Sequence, residues 1–366
     1  MKNTLLAFLL IFAVAGTAIA GIPGATDKVP AASLIVPFFE VGINSGEYPI
    51  DTLLTVNNIV NLVAPMDDPP DDSHRIHYHV WDNYGNALEL YGNEVLESAE
   101  TWSVSMRALI ESASSAVKSA LTDGNFYRGF VTIDVVTADT TQNPTESGYP
   151  FASIGGSDIL EGFIYYVRLA QGSSNSMDMI PLNLVTPGVD SALYDFYGSG
   201  SGDGRERIDS TARLCTEELI YYSAAPLSAT APIGPTCWPL TEIWQVDSRV
   251  FLNPALNAET RIILFLWDPK YLGGPSIYCD TRACPSLYGY QQFNESGSML
   301  VDSTIRLDKV VNVINVSGSS NGWVSIQRIA DPESGRQVFG FSFTKASPPS
   351  GASATWDAIL ESFITP

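Results

Sequence analysis

Basic residues are few in this chain. Nineteen Lys and Arg stand against 40 Asp and Glu, for a net charge of −21. A phosphate backbone needs a basic surface, so the balance excludes nucleic acid as a partner and disfavours anionic membranes. It is compatible with divalent cations and neutral glycans, and its plainest consequence is solubility outside the cell. Histidine is scarcer still: the three in the chain, His74, His77 and His79, are crowded into six residues. A Ser-His-Asp triad would have to recruit one of them. The chain has no His-Glu-x-x-His pair and no phosphate-cradling glycine loop. Carboxylate pairs for glycoside hydrolysis carry no information here, because with 40 acidic residues some pair always falls near the required separation.

Long apolar runs are missing after the first twenty residues. Lys2, the apolar stretch Leu5 to Ala15 and the small-x-small sequence Ala18-Ile19-Ala20 form an export signal, with cleavage expected before Gly21. The apolar stretch falls short of the roughly 20 residues that span a bilayer. Gly at position 21, where a lipid anchor would need Cys, points to a released chain. The reading is an exported protein, periplasmic or extracellular, with no membrane span in the mature chain.

Cysteine is sparse but even in number. Cys215, Cys237, Cys279 and Cys284 all lie in the second half. In an exported chain four cysteines read as two disulfides, and sequential pairing (Cys215–Cys237 and Cys279–Cys284) closes the shortest loops. A four-thiolate zinc site is the alternative.

What is present is β-sheet composition. Hydrophobic residues make up 45% and aromatics 11%, enough for packed cores. Three blocks recur in order. Arg75-Ile-His-Tyr-His-Val-Trp-Asp82 reads against Arg261-Ile-Ile-Leu-Phe-Leu-Trp-Asp268. Gly129-Phe-Val-Thr-Ile133 reads against Gly322-Trp-Val-Ser-Ile326, and Gly162-Phe-Ile-Tyr165 against Gly340-Phe-Ser-Phe343. The expected architecture is mostly β: two related β-sandwich-like domains from an internal duplication, each with about one short helix. The first domain is 21–197, the Gly/Ser linker 198–204 and the second domain, with the disulfides, 205–366. Ile262 to Trp267 is apolar on both faces, as a strand buried between two layers requires. Helical spacing places one helix over Met106 to Val117 and another over Leu307 to Ile314, although the Val content of the second also suits a strand. Trp356 to Phe363 reads as a terminal helix.

Ala32-Ser-Leu-Ile-Val-Pro-Phe-Phe-Glu40, with Thr52-Leu-Leu-Thr-Val-Asn57 and the Trp81-Asp82 strand, resembles a loose group of exported, uncharacterised β-rich bacterial proteins. The resemblance implies secretion and β structure, and brings no activity with it.

Three constellations remain as candidate sites. His77 and His79 point to one face of a strand, and with His74 and Asp72 could hold a transition metal, a divalent ion being the one cofactor considered; the alternative is that they fill a half-buried face. Asp67 to Asp72 lacks the spacing of a calcium loop and reads as a solvated acidic segment. Tyr278, Tyr288 and Tyr290, with Gln292 beside them, could stack on a neutral glycan, against the plain reading of a tyrosine-rich strand. The leading function is a non-catalytic structural, adhesive or assembly component of the cell exterior or envelope. Self-association or a cell-surface glycan would supply its partner. A glycan-binding module or glycan-active hydrolase, and a metal-binding protein, are the alternatives. Ala31 to Val41, apolar and extended, is expected to complete its own sheet rather than a neighbour's.

Overall fold

The computed structural model describes residues 31–46, 48–59, 74–146, 148–152, 159–168, 173–184, 205–207, 245–252, 258–267, 286–307, 309–318, 320–328, 337–346, 356–361 and 363–365. The expected export signal, the segment Asp67 to Asp72, the expected 198–204 linker, Tyr278 and the four cysteines lie outside them.

The first half carries β1 (Ser33–Gly42), β2 (Ile50–Asn58), β3 (His74–Trp81), β4 (Ala87–Leu96) and β5 (Thr101–Ser105). Two short helices follow, α1 (Met106–Ser112) and α2 (Ser115–Leu121). Then come β6 (Thr122–Asp123), β7 (Phe126–Val136), β8 (Leu160–Arg168), β9 (Ser173–Asp178), β10 (Ile180–Leu184) and β11 (Arg205–Arg207). The second half has β12 (Gln245–Val250), β13 (Glu259–Trp267), β14 (Ser286–Asn294), β15 (Met299–Leu307), β16 (Val311–Val316), β17 (Gly322–Arg328), β18 (Gln337–Ala346), β19 (Trp356–Glu361) and β20 (Phe363–Thr365).

Each half pairs two antiparallel sheets. The first has the orders β11-β10-β1-β7-β3-β4, with β6 on β7, and β5-β2-β8-β9. The second has β20-β12-β17-β14-β15 and β16-β13-β18-β19. The fold is mostly β and sandwich-like, as composition indicates. Strand for strand the orders coincide: β1 to β5 correspond to β12 to β16, and β7 to β10 to β17 to β20.

The register corresponds as well. Thr52 Oγ1 bonds both the N–H and the carbonyl of Glu40, at 3.0 Å each. Thr260 Oγ1 does the same to Phe251, at 3.0 and 2.9 Å. After β3, Asp82 Oδ1 accepts from the N–H groups of Tyr84 and Asn86. After β14, Asn294 Oδ1 accepts from those of Ser296 and Ser298. Both turns place a glycine at positive φ, Gly85 at 85° and Gly297 at 81°. At the root of each turn an aromatic pair stacks across the ladder: Trp81 on Phe130, centroids 5.7 Å apart, and Phe293 on Trp323, 5.8 Å apart. Trp and Phe stand on opposite strands in the two pairs.

These correspondences correct part of the sequence alignment. The second and third blocks are in register, since Gly129 and Gly322 sit on β7 and β17, and Gly162 and Gly340 on β8 and β18. The first block is not. β3 corresponds to β14, and β13 to β2, so Trp81 and Trp267 lie on topologically different strands. Both strands are buried and end in Trp-Asp, which is why they align without being equivalent.

Other expectations also shift. Leu307 ends β15, Val311 to Ile314 lie on β16, and Trp356 to Glu361 and Phe363 lie on β19 and β20, so the described residues of both segments are not helical. Val and Ile lose side-chain freedom in a helix and pack well on a pleated surface, and here β16 and β19 close the edges of a sheet. The helical content of the described residues therefore sits in the first half, where Ser105 and Ser114 cap α1 and α2 by accepting from Ala108 and Val117. Arg205–Arg207, expected in the second domain, pairs with β10 of the first.

β1 is a central strand, paired with β10 and β7 and buried throughout. The segment thus completes its own sheet. Pro37, which cannot donate to a ladder, falls where the β1–β7 register shifts between Val36 and Phe39.

One core runs through the first half and continues across the junction into Ile263, Phe265, Val310, Val311 and Phe341. A second lies within the second half, around Ile262, Leu264, Tyr288 and Val324. β13 thus buries both faces, alternate residues going to different cores, as its two-sided apolar sequence requires. Phe265 meets Phe130 edge-on at 5.3 Å, and Phe38 packs beside Phe341 and Phe343.

Gly129 and Gly322 occupy equivalent places for the same reason. A Cβ at Gly129 would fall on the carbonyl oxygen of Trp81, and one at Gly322 on that of Phe293. Both neighbours are backbone and cannot yield by a rotamer change. Gly129→Ala and Gly322→Ala are each expected to lose about 2–3 kcal/mol of stability in urea denaturation, against far smaller losses for Gly46→Ala, where a Cβ would meet only Asn44 Oδ1 at ordinary contact distance.

Candidate functional site

The junction between the halves is where charge concentrates. The register shift in β1 rotates the strand so that Glu40 lies beside Arg128 of β7. Across the junction Arg261, one residue before the two-sided apolar run of β13, reaches the same carboxylate. Glu40 Oε2 accepts from Arg128 Nε at 2.8 Å and Nη2 at 2.6 Å, and from Arg261 Nη1 at 2.8 Å. Its Oε1 accepts from Arg261 Nη2 at 3.0 Å. Arg128 Nη1 also donates to Asp123 Oδ2 at 3.0 Å. The Glu40 side chain is 3% exposed.

Burial alone would raise the Glu40 pKa, but the charges and hydrogen bonds of Arg261 and Arg128 outweigh it and hold the carboxyl below its ordinary value. Beside it, burial and then the Glu40 charge push the Tyr166 phenol well above its usual range. Its hydroxyl donates to the Phe38 carbonyl at 2.8 Å. Guanidinium planes complete the packing: Arg128 lies over Phe126 at 4.8 Å and Arg261 over Phe343 at 5.5 Å.

A cleft of about 800 Å³ opens next to this triad. Its walls come from both halves, including Tyr48, Phe126 and Arg168 of the first and Glu259, Arg306 and Lys345 of the second. Neither the triad nor the cleft was among the sites expected from sequence. Glu40 and Arg261 are 221 residues apart. The available signal was a charged residue at the end of each of two strands too apolar to face water.

The histidines behave otherwise. His77 and His79 do share one face of β3, 5.9 Å apart between ring centres, and are 0% and 3% exposed. His79 stacks on Tyr91, and His77 meets Tyr149 edge-on. His77 Nδ1 lies 3.1 Å from Asn93 Oδ1, while neither ring nitrogen of His79 has a hydrogen-bond partner among the described residues. Asp134, opposite His77 on β7, receives Ser33 Oγ and, at 3.3 Å, the Tyr149 hydroxyl. His74 begins the strand at its partly exposed end, and Asp72 is outside the described residues. Among the described residues no three His, Cys, Asp or Glu side chains are grouped to hold a metal ion. Burial lowers the His77 pKa. Burial, and then the neighbouring His77, lower that of His79 to about 3.

Tyr288, Tyr290 and Gln292 are 1%, 8% and 2% exposed. The two tyrosines belong to the core of the second half, so their rings do not form a surface on which a sugar could stack. Aromatic residues on β14 are there because the strand is central in its sheet. No helix among the described residues is long and apolar enough to cross a membrane.

The His79 environment gives a pH prediction. The unfolded chain takes up a proton near the ordinary 6.5, and the folded chain only at about 3. Stability is therefore complete above pH 6.5 and falls by about 1.4 kcal/mol per pH unit below it. Glu40, with its lowered pKa, adds stability that is present above 4.5 and lost as pH falls through its folded value. Urea denaturation across this range should show the slope, and His79→Phe should flatten its upper part. An unchanged slope in the variant would contradict the assignment.

No family model matches the chain, and no curated protein does. Among solved structures it overlaps procruciferin, an 11S globulin from Brassica napus, at 8% identity over 94% of this chain and 87% of that one, with a TM-score of 0.18. It overlaps the Pleurotus ostreatus lectin in its apo form at 10% identity over 93% and 89%, with a TM-score of 0.14. It overlaps the CupB6 tip adhesin of Pseudomonas aeruginosa at 10% identity over 93% and 92%, with a TM-score of 0.10. Scores of this size carry no statement about fold or activity.

Proposed function

We propose that this protein is an exported, non-catalytic structural or adhesive component of the cell exterior or envelope, built from a duplicated sandwich unit and acting as one rigid body. The observation that carries the reading is what its buried titratable groups are committed to. A general acid or base needs a pKa near working pH and a path to substrate. Glu40 lacks the first: four donor contacts from two guanidiniums keep it ionised. His77 and His79 are held neutral under tyrosine rings, closed to solvent. Tyr166 spends its proton on a backbone carbonyl.

Self-association has support in the sheet edges. β4 and β15 end their sheets at equivalent places, and both expose large apolar side chains, Tyr91 and Val95 on one, Met299 and Leu300 on the other. Long edges of this kind are templates for pairing with a second copy.

Three measurements test the proposal. Expressed with its first twenty residues, the chain should be recovered outside the cytoplasm with Gly21 at its N-terminus. In light scattering its mass should rise with concentration, and incubation with neutral and acidic glycans should release no product. A chain that stays monomeric at every concentration and cleaves a glycan would overturn the reading.

A further inference from the structure

We infer that the outer face of the second half, around Trp323, Phe293 and Met299, is the contact surface for a second copy of this chain, and that a two-fold axis closes the pair as a dimer. The inference rests on the self-association read above and names the surface that carries it. The three residues form one row across three strands: Trp323 of β17 pairs with Phe293 of β14, and Phe293 pairs with Met299 of β15. Partners in register share a face of the sheet. It is the face away from the core, which takes Tyr288, Tyr290, Val324 and Ile326 from the same strands. Trp323 and Met299 are 38% and 50% exposed, and Phe293 is half-buried.

The first half shows what seats on such a row. Trp81 and Phe130 hold the corresponding places on β3 and β7, yet they are 1% and 0% exposed. The second half packs against them: Phe265 meets Phe130 edge-on at 5.3 Å, and the Val311 N–H donates to the carbonyl of Asn83, two residues beyond Trp81, at 3.1 Å. One aromatic pair therefore already seats a sandwich unit of this kind, and its counterpart faces solvent. A contiguous exposed row of large apolar side chains marks an interaction surface more strongly than scattered ones do.

Two surfaces of a second copy could cover it. One is the place in the first half that corresponds to Phe265 and Val311. Phe265 pairs with Val311 as Asn57 pairs with Thr101, and Ile263 with Val313 as Thr55 with Ser103. There Thr101 Oγ1 donates to Asn57 Oδ1 at 2.7 Å, and the Thr55 and Ser103 hydroxyls lie 3.2 Å apart. Phe163 and Tyr165 of β8 keep some aromatic surface beside them. Seating Trp323 and Met299 on hydroxyls and an amide would strip polar groups of water for little apolar gain. Such a head-to-tail contact would also leave open ends and grow a fibre. The other surface is the same row, which is apolar, and a two-fold contact of row on row closes at two copies. Three large side chains make a small interface centre, so the dimer belongs to the weak, concentration-dependent class.

The test is sedimentation of the full mature chain from about 1 μM to about 1 mM. The mass should rise to twice that of the monomer and stop. Trp323→Thr and Met299→Lys change exposed side chains at the two ends of the row. Each should keep the wild-type melting temperature and raise the dissociation constant at least tenfold. Val95→Lys on the β4 edge and Thr101→Lys on the first-half face should leave that constant unchanged. Mass climbing past two copies, no association at any concentration, a folded Trp323→Thr that dimerises normally, or a dimer lost in Thr101→Lys would each overturn the inference. Should Trp323→Thr misfold, Met299→Lys decides in its place. Association lost in Val95→Lys but kept in the row variants would defeat this surface and leave self-association through the sheet edges standing. Release of product from a glycan by the same samples would defeat the non-catalytic reading and leave the dimer standing.

Discussion

A carboxylate that is removed from water must be matched by charge and hydrogen bonds, or it becomes neutral. The junction of this molecule is organised around one such group. Glu40 is placed by the register shift of β1, Arg128 by the neighbouring strand of the same sheet, and Arg261 by a strand of the other half. A missing partner would leave a buried charge, so the geometry specifies how the halves meet more sharply than apolar contact could. Around the triad, Phe38, Phe130, Phe265 and Phe341 supply burial, and the Tyr166 hydroxyl fixes the β1 backbone at the shift. The cleft is the open side of the same junction.

The two halves reach the same strand order with few identical residues. What recurs is a set of positions where backbone geometry leaves little choice. A threonine on the second strand holds the end of the first in both halves. An Asx residue and a positive-φ glycine build each turn, and a glycine lets the strand backbones approach beneath it. Packing positions differ: Trp81 faces Phe130 in the first half, and Phe293 faces Trp323 in the second. Among the described residues the first half adds two helices, and in sequence the second half adds the four cysteines.

Sequence reading reached the β class and the buried two-sided character of β13. It went wrong where two physical demands share one pattern. Leu307 to Ile314 carries helical spacing and β-branched composition together, and the sheet edge decided between them. β3 and β13 look alike because both are buried, not because they are equivalent. The tyrosines of β14 and the histidines of β3 are residue types that functional sites favour, yet here they fill packed faces. Partners on other strands determine that, and linear spacing does not show them. The Glu40–Arg261 contact was invisible for the same reason, though each residue was conspicuous as a charge at the end of an apolar strand.

If the buried carboxylate and the continuous core make the two halves one cooperative unit, heating should unfold them together. Differential scanning calorimetry near neutral pH measures this directly. The account predicts a single transition whose calorimetric and van't Hoff enthalpies agree. Two resolved transitions in the natural chain, one per half, would contradict it.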